Sequence, residues 1–155
     1  MGDVKPIPDG YQRVTPYLCV DGADAAIAFY GKVLGAEERM RMAAPDGKVG
    51  HSELTIGDSV IMLSDEYPDM GSVGPKTVGG TPVTLSVYVE DADATFELAL
   101  AEGAEELRPV ETHFYGDRGG MFVDPFGHHW NVSTHVEDVA PAEMQKRAAE
   151  MIAEM

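Results

Sequence analysis

The sequence predicts an α+β fold made of two tandem βαβββ modules followed by a C-terminal helix, and three observations carry that prediction. The chain repeats itself: Val20-Asp21-Gly22-Ala23-Asp24-Ala25 matches Val89-Glu90-Asp91-Ala92-Asp93-Ala94, and Gly35-Ala36-Glu37-Glu38 matches Gly103-Ala104-Glu105-Glu106, at offsets of 69 and 68 residues. A fixed period of this kind marks a duplicated structural unit. Each copy opens with a strand, passes into a helix stopped by glycine and continues as three further strands. Turn residues separate those strands at hairpin spacing.

Taken in order, residues 1–10 hold Pro6, Pro8 and Gly10 and read as an extended leader. Tyr11 to Val20 alternates as a strand, with Pro16 marking it as an edge or irregular one. Asp21-Gly22-Ala23-Asp24 is a turn and N-cap signal for a helix that aligns Ile27, Phe29, Tyr30, Val33 and Leu34 and ends at Gly35. Strands follow at about 37–44, 48–56 and 59–65, separated by Pro45-Asp46-Gly47 and Gly57-Asp58. Residues 66–81, rich in Gly and Pro, form a long linker of the kind that is usually functional or mobile. Thr81 to Val89 is the next strand and Glu90 to Gly103 the next helix, with Asp caps and a glycine stop, followed by strands at about 104–111, 119–124 and 128–135. Pro141 to Met155 is a helix by composition, with Pro in its first turn. The organisation is one domain: module one at about 11–65, the linker, module two at about 82–135 and the terminal helix at about 141–155.

At 155 residues the chain is long enough to bury a core without disulfides or metal staples. Eleven basic against 27 acidic residues give a formal charge of −16, which excludes nucleic acid and anionic lipid as natural partners. The acidity reads more simply as a device for solubility than as a lure for cationic substrates. A single cysteine, Cys19, excludes an intramolecular disulfide and a cysteine-based zinc cluster. No apolar run approaches about 18 residues and the start of the chain lacks a basic-then-apolar signal pattern, so a soluble cytoplasmic protein is expected.

The richest stretch is Tyr115 to Trp130, YGDRGGMFVDPFGHHW. Its Asp124-Pro125-Phe126-Gly127 turn predicts a hairpin with the charged residues and the histidines at opposite ends of adjacent strands. Arg118 suits two roles: a bidentate clamp for a carboxylate or phosphate oriented by Asp117, with Tyr115 beside it, or a structural Asp117–Arg118 turn pair. His128 is expected on the turn, Trp130 in the core and Cys19 as a packing residue. Strand parity separates Leu54 and Ile56 from His51, Glu53 and Thr55, and Trp130 and Val132 from His129, Asn131, Ser133 and His135. The same alternation groups Thr15, Tyr17 and Cys19, and Thr84, Ser86 and Tyr88. Glu53 and His51, two apart on one strand face, form either an acid–base pair or a simple structural ion pair. The nine methionines, Met40, Met42, Met62 and Met70 among them, either line a cavity for a bulky ligand or fill gaps under helices.

TPYLCVDGADAAIAFYGKVLGAEE, PDGKVGHSELTIGDSVIMLSDE, YGDRGGMFVDPFGHHW and the closing STHVEDVAPAEMQKR together resemble the vicinal oxygen chelate superfamily of glyoxalases, bleomycin-resistance proteins and extradiol dioxygenases, and within it the PhnB-like branch. The resemblance implies modules that form a curved half-barrel sheet with helices outside, a ligand cavity within, and a homodimer. It also implies one divalent metal, such as zinc, nickel or manganese, held by up to four ligands. Transferred residue by residue, those positions fall on Thr15, Glu53, Pro82 and Asn131, which leaves one good ligand and no metal by the usual positions. A shifted site of His51, Glu53 and His129 is the alternative. The expected function is therefore small-molecule binding with a degenerate metal site and no cofactor, sequestering a hydrophobic or antibiotic-like ligand, with Tyr17, Thr84, Ser86, Tyr115, Arg118, His129 and Asn131 as ligand-binding residues. The alternatives are a metal-dependent glyoxalase-like lyase, isomerase or transferase, or a metal-free epimerase or hydrolase using Glu53 and His51 as catalytic residues.

Overall fold

The structure, a computed structural model, describes residues 2–155, and the chain divides into two units, one ending at Gly80 and the other spanning Thr81–Met155. In the first unit β1 (Tyr17–Val20) leads into α1 (Ala23–Leu34), then β2 (Glu37–Ala43), β3 (Val49–Ile56) and β4 (Ser59–Asp65). Its four strands lie in the order β1-β4-β3-β2, with β1 parallel to β4 and the remaining pairs antiparallel. The second unit repeats this plan with β5 (Thr84–Tyr88), α3 (Ala92–Ala101), β6 (Glu105–Thr112), β7 (Asp117–Val123) and β8 (His129–His135), in the order β5-β8-β7-β6. The duplicated sequence is thus a duplicated topology of two open mixed sheets. α4 (Pro141–Ala153) closes the chain. No helix among the described residues is long and apolar enough to cross a membrane.

Each sheet buries the face under its own helix. In the first unit Leu18, Val20, Leu54 and Leu63 meet Ala26, Ile27, Tyr30 and Val33 of α1, all buried. In the second, Phe96 and Ala99 of α3 pack on Phe122, Trp130 and Val132, and the Phe96 and Phe122 rings meet edge-on at 6.3 Å.

Several elements differ from expectation for identifiable reasons. The strand expected from Tyr11 begins only at Tyr17, because Pro16 has no N–H to give the ladder. Upstream of it the Gln12 amide stands in for backbone: Nε2 donates to the Val60 carbonyl at 2.6 Å and Oε1 accepts from the Val60 N–H at 3.2 Å. The strand expected from Thr81 likewise starts after Pro82, at Thr84. The linker is not structureless; it holds a 3₁₀ turn at Pro68–Met70 and the one-turn helix α2 (Pro75–Val78). The Asp91 carboxylate caps α3 by accepting from the Ala94 N–H at 3.0 Å. α1 instead starts at Gly22 in a left-handed conformation, and no side chain of the Asp21–Asp24 turn caps it. Buried Asp65, at the end of β4, does that work: Oδ1 accepts from the Gly22 and Ala23 N–H groups at 3.0 and 2.8 Å, and Oδ2 from the Val49 N–H at 2.8 Å.

The hairpin of β7 and β8 pairs Asp117 with His135 at one end and Val123 with His129 at the other. β7 begins at Asp117, two residues earlier than expected. A Cβ on Gly119 would collide with the Val132 carbonyl and the Ser133 hydroxyl, so this position admits only glycine.

Candidate functional site

Opposite its helix, each sheet has an open face, and the cross-strand register fixes what lies there. In the first unit Tyr17 pairs with Met62, Met62 with Glu53 and Glu53 with Met40, while His51 pairs with Met42. Tyr17, Met40 and Met42 are exposed, whereas Glu53 is 3% exposed.

Every acceptor of Glu53 is engaged. Oε1 accepts from the Tyr11 hydroxyl at 2.6 Å and from Arg39 Nε and a terminal guanidinium nitrogen at 3.2 and 3.0 Å, and Oε2 accepts from His51 Nε2 at 2.9 Å. A β-bulge between Glu38 and Met40 turns Arg39 onto the open face. The guanidinium lies 4.4 Å over the Tyr11 ring and donates to the Gly10 carbonyl at 3.0 Å, which ties residues 10–12 across this face. On the far side of His51, Nδ1 lies 2.8 Å from the Tyr17 hydroxyl. The hydrogen bonds from Tyr11 and His51, reinforced by Arg39, outweigh burial and lower the Glu53 carboxyl to about 2. The pairing of Glu53 with His51 expected from their spacing is present. Tyr11 and Arg39, which decide its chemistry, were not among the residues singled out by strand parity.

The residues at the four implied metal positions do not fit a divalent ion. Thr15 offers a neutral hydroxyl and Pro82 no side-chain donor atom at all. The Asn131 amide is turned to the Ser86 and Ser133 hydroxyls at 3.3 and 3.4 Å. Both oxygens of Glu53 are engaged and its charge is met by Arg39, so a metal would have to compete with these partners for the carboxylate. The described residues contain no group of three or more His, Cys, Asp or Glu side chains that could hold a metal ion.

In the second unit the open face carries Thr84, Ser86 and Tyr88 of β5, His129, Asn131, Ser133 and His135 of β8, and Asp117 and Met121 of β7. The Tyr88 hydroxyl donates to Asp117 Oδ2 at 2.7 Å, and His135 links Asp117 Oδ1 through Nδ1 at 2.8 Å to Asp138 Oδ1 through Nε2 at 2.7 Å. Ionised carboxylates only accept, so both ring nitrogens of His135 donate and the ring is an imidazolium. Its pKa is raised by Asp117 first and Asp138 second. Burial opposes ionisation of Asp117, yet the His135 and Tyr88 hydrogen bonds hold its pKa below the ordinary aspartate value. A raised histidine pKa stabilises the fold fully below the unfolded value near 6.5, and that contribution is lost as pH rises through the folded value. The stability advantage of the native chain over His135→Gln is therefore expected to be larger at pH 5.5 than at pH 8.5 in denaturant melts; a pH-independent difference would refute the clamp.

The partnership of Asp117 with Arg118, common to both readings offered for Arg118, is corrected by the structure. Strand alternation puts Asp117 and Arg118 on opposite faces of β7, so neither orients nor pairs with the other. Arg118 lies on the helix side, forked onto Asp93 of α3 at 2.7 and 2.9 Å and donating to the Thr112 hydroxyl at 3.1 Å. It staples α3 to the sheet. Tyr115 stacks on His113, with ring centroids 5.2 Å apart and planes 3° from parallel. His128 sits in the turn, its N–H bound by Asp124, and Trp130 is buried as expected. Cys19 is partly buried, 3.4 Å from the Ser72 hydroxyl, and burial raises its thiol pKa, which matches packing rather than nucleophilic chemistry.

With this geometry in hand, comparison with known proteins locates the chain. It is 43% identical to an uncharacterized protein of Mycobacterium bovis over 135 residues, covering 85% of this chain and 89% of that one. Among solved structures, a protein of Pseudomonas aeruginosa superposes with a TM-score of 0.67 at 25% identity, covering 81% of this chain and 99% of that chain. A PhnB protein from Bacillus cereus does so with a TM-score of 0.65 at 20% identity, covering 79% and 99%, a likeness of fold. The model of one family matches residues 11–132, most of both repeated units, and the chain belongs to that family, the Glyoxalase/Bleomycin resistance protein/Dioxygenase superfamily.

Proposed function

We propose that this protein binds a small, largely apolar molecule without a catalytic metal. The observation that carries the reading is the engagement of both Glu53 oxygens by Tyr11, Arg39 and His51. The one good ligand left at the implied metal positions already has a permanent protein cation as its partner. Around it, Tyr17, Met40, Met42 and Met62 offer an adaptable apolar surface. Tyr17, and in the second unit Thr84, Ser86, His129 and Asn131, are the polar groups available to a ligand, and a homodimer is part of the same proposal.

Both enzymatic alternatives ask more of Glu53 than its surroundings allow. A metal-dependent lyase, isomerase or transferase using His51, Glu53 and His129 needs the carboxylate to leave Arg39. A metal-free epimerase or hydrolase needs a base with a pKa near the working pH, and a carboxyl lowered to about 2 is a weak one. The test is elemental analysis of untagged protein dialysed against trace zinc, nickel, manganese and iron. The expected result is well below about one metal per chain, the stoichiometry of a protein-held catalytic ion. A stoichiometric metal lost in Glu53→Gln would overturn the proposal.

A further inference from the structure

Resting on the binding reading above, we infer that the ligand presents a hydrogen-bond donor, most simply a protonated amine, to the hydroxyl oxygen of Tyr17. The polarity of the chain Tyr17–His51–Glu53 carries this. An ionised Glu53 only accepts, so His51 Nε2 bears a hydrogen and donates to it. Arg39 already supplies the positive charge facing that carboxylate, with two of its nitrogens on Oε1. One N–H, on Nε2, therefore completes the arrangement around the carboxylate, and Nδ1, 2.8 Å from the Tyr17 hydroxyl, is assigned as the acceptor of its hydrogen. The Tyr17 hydroxyl hydrogen is spent on Nδ1, and what the half-exposed phenol offers outward is oxygen lone pairs. A carboxylate or phosphate at this point would set acceptor against acceptor, whereas an N–H completes the chain.

The second unit shows the same polarity by an independent route. Tyr88 is 69% exposed, and its hydroxyl hydrogen goes to the Asp117 carboxylate, which has none to return. On each open face the exposed tyrosine is thus an outward acceptor. The formal charge of −16, for which composition alone suggests solubility, acts in the same direction on a cation and is screened by salt. The methionines beside Tyr17 add a soft apolar surface, so the ligand class is an amine on an apolar or aromatic body rather than an anion.

The test is calorimetric titration of the full chain at neutral pH in about 1 M salt, where the pull of the net charge is screened within about 3 Å, with three probes of one shape: 2-naphthylmethylamine, 2-naphthoate and naphthalene. The amine is expected to bind about tenfold or more tightly than the naphthoate, the worth of one charge-assisted hydrogen bond. Tyr17→Phe, a half-exposed position that keeps its ring, is expected to bring the ratio of amine to naphthoate affinity down towards one. Equal or tighter binding of the naphthoate, or a preference that survives in Tyr17→Phe, would overturn the inference while the binding reading stands. If none of the three probes binds, both fall together.

Discussion

Asp124→Ala is expected to destabilise the protein by about 3 kcal/mol, the sum of the hydrogen bonds it would leave unmade. Asp124 is 3% exposed and organises the whole β7–β8 turn. Oδ1 accepts from the Phe126 and His128 N–H groups at 2.9 and 3.0 Å, and Oδ2 accepts from Trp130 Nε1 at 2.9 Å. Alanine removes the acceptor but not the donors, and the indole N–H of a residue 2% exposed has no access to water in exchange. The melting temperature should fall by roughly 6–12 °C for a chain of this size. Asp124→Asn separates the two halves of the interaction. Its amide oxygen can still serve the turn, but its NH₂ would face the indole N–H, donor against donor, so it should recover only part of the loss. A fall below about 1 kcal/mol in the alanine variant, within the range of ordinary surface changes, would show that the carboxylate does not hold this hairpin.

This turn also shows how unevenly the molecule was written into its sequence. Asp124-Pro125-Phe126-Gly127 announced a hairpin because local turn chemistry lies within four residues, and the repeated Val-Asp-Gly-Ala-Asp segment announced two units because topology was copied with it. The Asp91 cap of α3 was legible for the same reason, its acceptor lying three residues from its donor. The cap of α1 was not, since Asp65 arrives from 42 residues away through β4. Tyr17, His51 and Glu53 fell together by strand parity, which survives as long as a strand is regular. Arg39 escaped because a bulge shifts β2 out of alternation where Arg39 turns inward. Tyr11 escaped because the alternation read from Tyr11 to Val20 is not a strand before Pro16, and Tyr11 reaches Glu53 from an irregular segment. Arg118 was misjudged by reading Asp117 and Arg118 as a loop. Once they belong to β7, alternation sends one to each face and the supposed partnership dissolves.

The residues that sequence did not announce are the ones whose removal should expose the chemistry of the candidate site. Arg39→Leu is expected to cost roughly 2–3 kcal/mol at neutral pH: less than breaking a fully buried pair, because the Arg39 side chain is 29% exposed, but more than a surface pair, because that of Glu53 is 5% exposed. Tyr11→Phe should cost less, about 1–2 kcal/mol, as the loss of one hydrogen bond to a charged group. Both effects should depend on pH with a definite sign. The Glu53 carboxyl is lowered to about 2 by Tyr11, His51 and Arg39, so the stability it contributes is complete above the ordinary carboxyl value near 4.5 and is lost as pH falls toward 2. Either variant weakens the forces that lower it, so its deficit relative to the native chain should shrink between pH 6 and pH 3 in paired denaturant melts. Subtracting the native chain removes the common titration of the other carboxylates. A deficit that stays constant across that interval would mean that Arg39 and Tyr11 act by packing alone, and Glu53 would then be free to serve as a ligand or a base. A shrinking deficit in both variants would instead establish Arg39 as the resident cation of this site, which is the condition on which metal-free binding depends.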